Sequence, residues 1–369
     1  MEFKIKKNDF LDPLKKINRI ITKNVVFPIL ENIIIKINEK VLKLTSSNLD
    51  IELNAYIKKK LFILYNPGRI IVSGKKILNI CRNISNNEEL YFRVINKQIY
   101  IKVKKSLFKI NLIKNTKFPI FKKFCSIKKF SISQKILKEM ILSVYFSIAN
   151  NDIRTSLNGI LIEYQDNFLY GVTTDGHRLS MYKTPLQLNI TYFNIIVSKK
   201  SILEIHKLLE LSKNKDIQIK IKKNYASFKL HNILLTTKLL HGNFPNYKDV
   251  ILSQSTHRIL VPREKLRESL LKISVLCNTT FKGVYLEFSK NQLTIKSKNQ
   301  EDEESSDSFY INNKYEKISF FINVFYLLDV LNALNINLIN FIFNIPISCI
   351  QIQSEMKKEI LYIIMPLKL

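Results

Sequence analysis

The chain has 369 residues, 46% of them hydrophobic, with only 7 Gly and 9 Pro. It is too long for one ordinary domain, apolar enough for real cores and too poor in breakers for long linkers or low-complexity tracts. Its 59 Lys and Arg against 30 Asp and Glu leave a net charge of +29, which points to a polyanion, nucleic acid before an anionic membrane. Heavy use of Ile, Lys and Asn is also what codon drift in an AT-rich genome produces, so charge alone does not separate a DNA channel from drift.

In chain order, Phe3 to Ile21 reads as a strand feeding a helix. The opening residues alternate polar and apolar and show no h-region, so no secretion signal is expected. Val41–Thr45 and Gln98–Val103 alternate as half-buried antiparallel strands do. Between them, Ile70-Ile71-Val72-Ser73-Gly74-Lys75-Lys76 reads as an apolar strand, a Ser helix cap and a helix start. This third closes near Lys117-Phe118-Pro119-Ile120-Phe121.

The same order then returns. Phe130 to Ile148 is again strand then helix, with Ile136, Leu137, Met140, Ile141, Val144, Tyr145 and Ile148 on one apolar stripe. Ile195-Ile196-Val197-Ser198-Lys199-Lys200 repeats the strand–cap–helix step, and Asn243-Phe244-Pro245-Asn246-Tyr247 repeats the closing motif. In the last third, Ile259 to Leu276 sets Pro262 in a helix first turn and Leu266, Leu270, Ile273 and Leu276 inward. Phe320-Phe321-Ile322-Asn323 takes the strand–cap place, and the chain ends Met365-Pro366-Leu367-Lys368-Leu369. The most membrane-like stretch, Ile318 to Ile350, is broken by Asp329, five asparagines from Asn332 to Asn344, and Pro346. It reads as a buried helix followed by strands, not a span.

Repetition at domain length gives the fold class: α+β, three tandem similar domains of two helices and many antiparallel strands each. The boundaries fall at residues 1–123, 124–252 and 253–369.

The chemistry of enzymes is not visible. Cys81, Cys125, Cys277 and Cys349 stand far apart with no CxxC pair, which suggests neither a zinc site nor a disulfide framework. Thr173-Thr174-Asp175-Gly176-His177-Arg178-Leu179 contains an Asp–His pair, yet no nucleophile, metal cluster or Gly-rich phosphate loop accompanies it. A turn is the plainer reading, with Gly176 supplying a positive φ. A metal-dependent nuclease needs clustered carboxylates, and acidic residues are sparse outside 301–307, which reads as a flexible loop. No Walker A sequence is present. Neither catalytic residues nor a cofactor nor a metal is expected. The alternative function is a non-topological basic protein that coats nucleic acid, for which the 23 Phe and 16 Tyr would have to supply stacking platforms.

These pieces, together with Phe27-Pro28-Ile29-Leu30-Glu31-Asn32, Leu157-Asn158-Gly159, Phe281-Lys282-Gly283-Val284 and Tyr326-Leu327-Leu328-Asp329-Val330-Leu331-Asn332-Ala333-Leu334, carry a resemblance by their order and spacing. Over essentially its whole length the chain resembles the beta subunit family of bacterial DNA polymerase III, the sliding clamps. The resemblance implies a head-to-tail homodimer whose domains close into a pseudo-sixfold ring, helices lining the hole and antiparallel sheets outside. It implies a non-catalytic subunit that encircles duplex DNA and confers processivity on the replicative polymerase. A ring holds DNA by topology, so only weak, sequence-blind attraction is needed inside it.

Lys15, Lys16, Arg19, Lys23, Lys75, Lys76, Arg82, Arg154, Lys199 and Lys200 are the DNA-binding residues expected on that basis. Lys in a helix first turn opposes the macrodipole at roughly 0.3–1 kcal/mol, and an approaching phosphate reverses that cost. Asn24, Asn150 and Asn151 fall where relatives contact DNA but form no ion pairs.

The resemblance further implies a partner-peptide pocket made by Arg154, Leu157, Thr174, Gly176, His177, Arg178, Leu179, Pro245, Val250, Asn323, Tyr326, Ile347, Ile363, Met365 and Pro366. An apolar, Pro-rimmed groove suits short peptides with Leu or Phe anchors. Asp249, where a basic residue is usual, and Thr155-Ser156, where some relatives have aromatics, imply altered partner affinity. The implied partners are the polymerase catalytic subunit, the ATP-driven clamp loader, other polymerases and repair proteins, with no membrane partner and a cytoplasmic, nucleoid-associated location. At the implied subunit interface, Lys102, Lys104, Lys105 and Phe108 face the acidic block with Glu301, Glu303 and Glu304, and Val275 and Leu276 add apolar contact.

Overall fold

The computed structural model describes residues 1–114, 117–121, 127–209, 216–252, 256–277, 282–299 and 303–367. The first third runs β1 (Glu2–Lys6), α1 (Lys7–Asn18), β2 (Asn32–Ile37), β3 (Val41–Ser47) and β4 (Ile51–Lys58). It continues with β5 (Phe62–Asn66), β6 (Gly68–Ser73), α2 (Gly74–Asn83), β7 (Glu89–Ile95), β8 (Gln98–Val103) and β9 (Ser106–Asn111). Next come β10 (Lys128–Ser133), α3 (Gln134–Val144), β11 (Gly159–Gln165), β12 (Phe168–Thr174) and β13 (Arg178–Pro185). They are followed by β14 (Phe193–Ser198), α4 (Lys199–Leu208), β15 (Asp216–Lys222), β16 (Tyr225–Leu230) and β17 (Ile233–Leu240). The last third holds β18 (His257–Pro262), α5 (Arg263–Ile273), β19 (Gly283–Ser289), β20 (Gln292–Lys298) and β21 (Glu304–Tyr310). It ends with β22 (Ile318–Asn323), α6 (Val324–Ala333), β23 (Leu338–Phe343), β24 (Ile350–Gln353) and β25 (Ile360–Ile364).

Each helix follows a strand directly, as the repetition predicts, and the second step of each third is capped alike. Ser73 accepts from Lys76 N at 3.4 Å, Ser198 from Ser201 N at 3.3 Å, and Asn323 from Phe325 N at 3.0 Å. Each cap satisfies a helix donor that has no partner within the helix.

Contacts divide the chain into two compact units, residues 1–136 with 203–239 and residues 137–202 with 240–369. In the first unit one sheet runs β5-β1-β7-β8-β9, and a second runs β6-β2-β3-β4-β17-β16-β15-β10. Helix α1 packs on α2, β3 and β4, and Phe10, Leu14 and Ile17 on the helix and Leu44 and Leu53 on the strands are buried. In the second unit one sheet runs β14-β11-β12-β13-β25-β24-β23-β18 and another β21-β20-β19-β22. Helices α5 and α6 pack on each other, α5 on β20 and β21, α6 on β22 and β25. No helix among the described residues is long and apolar enough to cross a membrane.

Four readings of the sequence change in detail. Pro262 is the residue before α5 rather than part of its first turn, because it still pairs with Leu338 across β18 and β23. Helix α3 ends at Val144, and Tyr145 begins a 3₁₀ turn that leaves its ring 38% exposed. The same tightening at Ser274–Leu276 takes Leu276 off the buried face of α5, where Leu266, Leu270 and Ile273 remain. The acidic block is not a loop from Glu304 onward. It is edge strand β21, with Lys298 opposite Glu304 and Ile295 opposite Asp307.

Candidate partner-peptide pocket and nucleic-acid interface

The pocket is built in the second unit around the turn between β12 and β13. Asp175 Oδ1 accepts from the backbone N–H of His177 at 3.0 Å and of Arg178 at 3.1 Å. Gly176 has φ +93°, and a Cβ there would lie 3.1 Å from Arg154 Nη2, so the turn needs glycine for conformation and for room. Thr174 Oγ1 donates to Arg178 O and accepts from Gly176 N. The turn is thus tied by its own polar groups, which is the structural role the sequence suggested for the Asp–His segment.

Arg178 anchors it to its surroundings. Its Nε donates to Asp175 Oδ2 at 3.0 Å, Nη1 to Asp329 Oδ2 at 2.6 Å and Nη2 to Phe146 O at 2.7 Å. The guanidinium lies 4.2 Å from the Tyr326 ring centre. A charge that is only 10% exposed is tolerable because each of the three guanidinium nitrogens donates to an oxygen.

Beside this turn lies a cavity of about 210 Å³. Leu157, Leu179, Ile363 and Tyr247 are buried in its floor, and Arg154, Pro245, Asn246 and Met365 stand at the rim. That volume is below the range for drug-sized ligands and suits an apolar side chain or two. The Tyr247 hydroxyl donates to Glu163 Oε2 at 2.5 Å, and burial, then this bond, push its pKa well above the ordinary value. Arg154 forks onto both oxygens of Asp152 at 3.1 Å and holds that carboxyl below its ordinary pKa.

Of the expected pocket residues, Arg154, Leu157, Thr174, Gly176, Arg178, Leu179, Pro245, Val250, Ile363 and Met365 come together around this cavity. The other five lie outside its wall. Asn323 caps α6, Tyr326 lies under Arg178, and His177 is exposed with its carbonyl accepting from Met365 N. Ile347 and Pro366 are half-buried. Asn246 and Tyr247 were missed, although both sit in the Asn243–Tyr247 motif, where an aromatic two residues after Pro245 was the available signal.

The expected DNA-binding cations are mostly accessible. Lys15, Arg19, Lys23, Lys75, Lys76, Arg82, Arg154 and Lys200 are exposed. Lys16 pairs with Asp12 at 3.0 Å, and Arg19 Nη1 donates to Lys207 O at 3.1 Å. Lys199 Nζ donates to Asn150 Oδ1 at 2.6 Å, and burial, then the positive charge of Arg178, hold its pKa below the ordinary value. No group of metal-ligating side chains occurs among the described residues.

Of the expected interface residues, Lys102 and Lys105 are exposed at the β8–β9 turn, and Lys104 is already paired with Glu88 at 2.5 Å. Phe108 is half-buried on β9, with Leu107 beside it 53% exposed, and Val275 is 79% exposed. Glu304 meets Lys298 at 3.2 Å, and Glu303 is bonded to Asn299. Glu301 lies outside the described residues.

Family descriptions of the DNA polymerase III beta subunit match in tandem: the N-terminal domain over residues 1–122, the central domain over 131–246 and the C-terminal domain over 248–368. The chain belongs to the DNA polymerase III beta subunit family. It is 39% identical over 368 residues to the beta sliding clamp of Buchnera aphidicola subsp. Rhopalosiphum padi and 27% identical over 369 residues to that of Escherichia coli K12, covering 100% of both chains in each case. The crystal structure of the beta subunit from Pseudomonas aeruginosa matches with a TM-score of 0.96 at 28% identity, again over 100% of each chain. Membership makes this beta subunit a DNA sliding clamp, a processivity subunit of DNA polymerase III without catalysis of its own.

Proposed function

We propose that two copies of this chain close head to tail into a homodimeric ring around duplex DNA and move with the replicative polymerase. In this reading the clamp domains are residues 1–123, 124–252 and 253–369. The observation that carries the ring is a pair of open sheet edges with opposite charge. Among the described residues, β9 pairs only with β8, with Lys105 in the turn just before it and Lys102 on β8 opposite Leu107, while β21 pairs only with β20 and begins at Glu304, next to Glu303. An unpaired edge is a template for another strand, and opposite charges favour joining β9 of one copy to β21 of the next.

The exposed Lys and Arg on α1, α2 and α4 then supply sequence-blind attraction to phosphates. The small apolar cavity beside the β12–β13 turn receives the anchor side chains of peptides from the polymerase catalytic subunit, the clamp loader and, in turn, other polymerases and repair proteins. The work takes place in the cytoplasm, at the nucleoid. The test is retention on nicked circular DNA after loading, at salt that suppresses electrostatic sticking. Loss when the circle is cut means encirclement; equal retention on circle and line means charge alone binds, and the ring reading falls.

A further inference from the structure

One feature of the first unit is not used by either site. In β2, β3 and β4 the alternation buries Ile33, Ile35, Leu42, Leu44, Leu53 and Ile57 on one side and turns Lys36, Lys43, Tyr56 and Lys58 to the other. Arg69 stands opposite Lys36, Lys36 opposite Lys43, and Lys43 opposite Tyr56. Farther across the sheet Lys229 stands opposite both Leu234 and Gln218, with Lys220 on the same side of β15. The two stretches are offset, since Leu234 pairs with Asn54, two residues from Tyr56; side by side on one face they reach across the seven neighbouring strands from β6 to β15, about 30 Å at about 4.8 Å each.

Its far half is a groove of about 590 Å³ whose walls include Tyr56, Lys58, Lys220, Ser227, Lys229 and Leu234. Like charges directly opposite one another destabilise a sheet. No carboxylate among the described residues pairs with Lys36, Lys58, Lys220 or Lys229. Glu52 on β4 is buried and bound by Asn54 Nδ2 and Phe121 N, and Asp50 pairs with Lys238. Drift toward lysine does not make such a row everywhere. In the second unit the cross-strand row reads Glu163, Tyr170, Lys183, with the signs mixed.

We propose that this row and groove form a second nucleic-acid site, a track for one single strand whose phosphates lie along Lys36, Lys58, Lys229 and Lys220. Lys43 Nζ lies 5.7 Å from the Tyr56 ring centre, so a tyrosine in the groove wall sits beside a cation, the combination of aromatic platform and positive charge that single-strand grooves use. A bilayer fits less well, because the groove is concave and none of its residues is an exposed large hydrophobic. The site is independent of ring closure.

The test is anisotropy of a labelled oligothymidylate on the full chain over a salt series. Lys58→Glu/Lys220→Glu/Lys229→Glu is compared with Lys97→Glu/Lys290→Glu/Lys358→Glu, three exposed lysines elsewhere with the same change of net charge. Losing three phosphate contacts should lower the slope of log affinity against log salt by about 2 and weaken binding about ten-fold or more, in the first variant only. Equal loss in both variants overturns the proposal. So does a first variant that keeps the oligonucleotide but loses phosphatidylserine vesicles. Should that variant not fold, ultraviolet crosslinking of oligothymidylate to the unaltered chain decides: an adduct on Tyr56 supports the track, and adducts only elsewhere overturn it.

Discussion

Arg178 Nη1 donates to Asp329 Oδ2 at 2.6 Å, joining the start of β13 to α6, two elements 151 residues apart in sequence. The same guanidinium holds Asp175, which shapes the turn, so one side chain sets both the turn and its place against α6. Replacing Arg178 with Ala leaves Asp175, 17% exposed, without its cation. Breaking a pair this buried should cost about 3 kcal/mol, and Arg178→Lys should recover little because an ammonium cannot meet three acceptors as a planar fork does. Thermal unfolding checks the cost. A variant as stable as the parent would mean that the pair holds nothing in place.

How much of this was legible follows from the kinds of signal involved. Strand–helix steps showed because apolar runs ending in Ser73, Ser198 and Asn323 have both a period and a cap. Strand β21 did not show, because its Ser, Asp and Glu residues alternate between half-buried and exposed with little apolar content. Several turns were hidden for a different reason. With 7 Gly in the chain, positive φ falls to Asn87, Asn96, Asn151, Asn167 and Asn291, which tolerate it but are common everywhere in so Asn-rich a sequence. The pocket floor was legible from the Asp175–Leu179 and Asn243–Tyr247 segments; the part of Arg178 was not, because its second carboxylate, Asp329, is remote in sequence.

The rim of the cavity should separate binding from stability. Met365 is 39% exposed, so Met365→Ala removes little buried area and should shift unfolding by less than about 1 kcal/mol. Its loss should still weaken a Leu- or Phe-anchored peptide by roughly ten-fold, since one apolar contact in a pocket is worth about 1–3 kcal/mol. Titration calorimetry with a synthetic peptide measures this. Unchanged affinity would remove Met365 from the site.

Gly176→Ala tests the turn itself. The added methyl meets Arg154 Nη2 at 3.1 Å on a backbone at φ +93°, so stability should fall by about 1 kcal/mol or more. Peptide affinity should fall with it as Arg154 moves. A chemical-denaturation midpoint equal to that of the parent would show that the turn accommodates a side chain.

Alkaline pH should loosen the fold. Burial pushes the Cys81 thiol up to about 12, with Lys7 opposing, and burial followed by the charge of Glu139 pushes Tyr182 up to about 12. Unfolded, these groups lose their protons near their ordinary values of 9.0 and 10.0; folded, they keep them longer. The unfolded state therefore binds fewer protons across that window, and stability must fall as pH rises from about 9 to about 12. Below pH 9 both groups contribute fully and no dependence on either is expected. Denaturation curves at stepped pH, with Cys81→Ala as the comparison, would assign the thiol its share. A flat profile from 9 to 12 would contradict the burial.

Ring closure predicts a rescue. Lys105 is exposed beside β9, and Glu304 begins β21, paired with Lys298 at 3.2 Å with both side chains more than half exposed. Lys104 is the poorer probe, because Glu88 already occupies it. Lys105→Glu places two acids together at the proposed junction, and Glu304→Lys places two bases there. Each alone should weaken association by about 1 kcal/mol or more, while the double variant restores opposite charges and should dimerise nearly as the parent does. Sedimentation velocity at low salt reads the dimer fraction, and the difference among variants should shrink as salt rises. Single variants that dimerise like the parent, or a double variant that adds the two losses, would mean that these edges do not meet in this register.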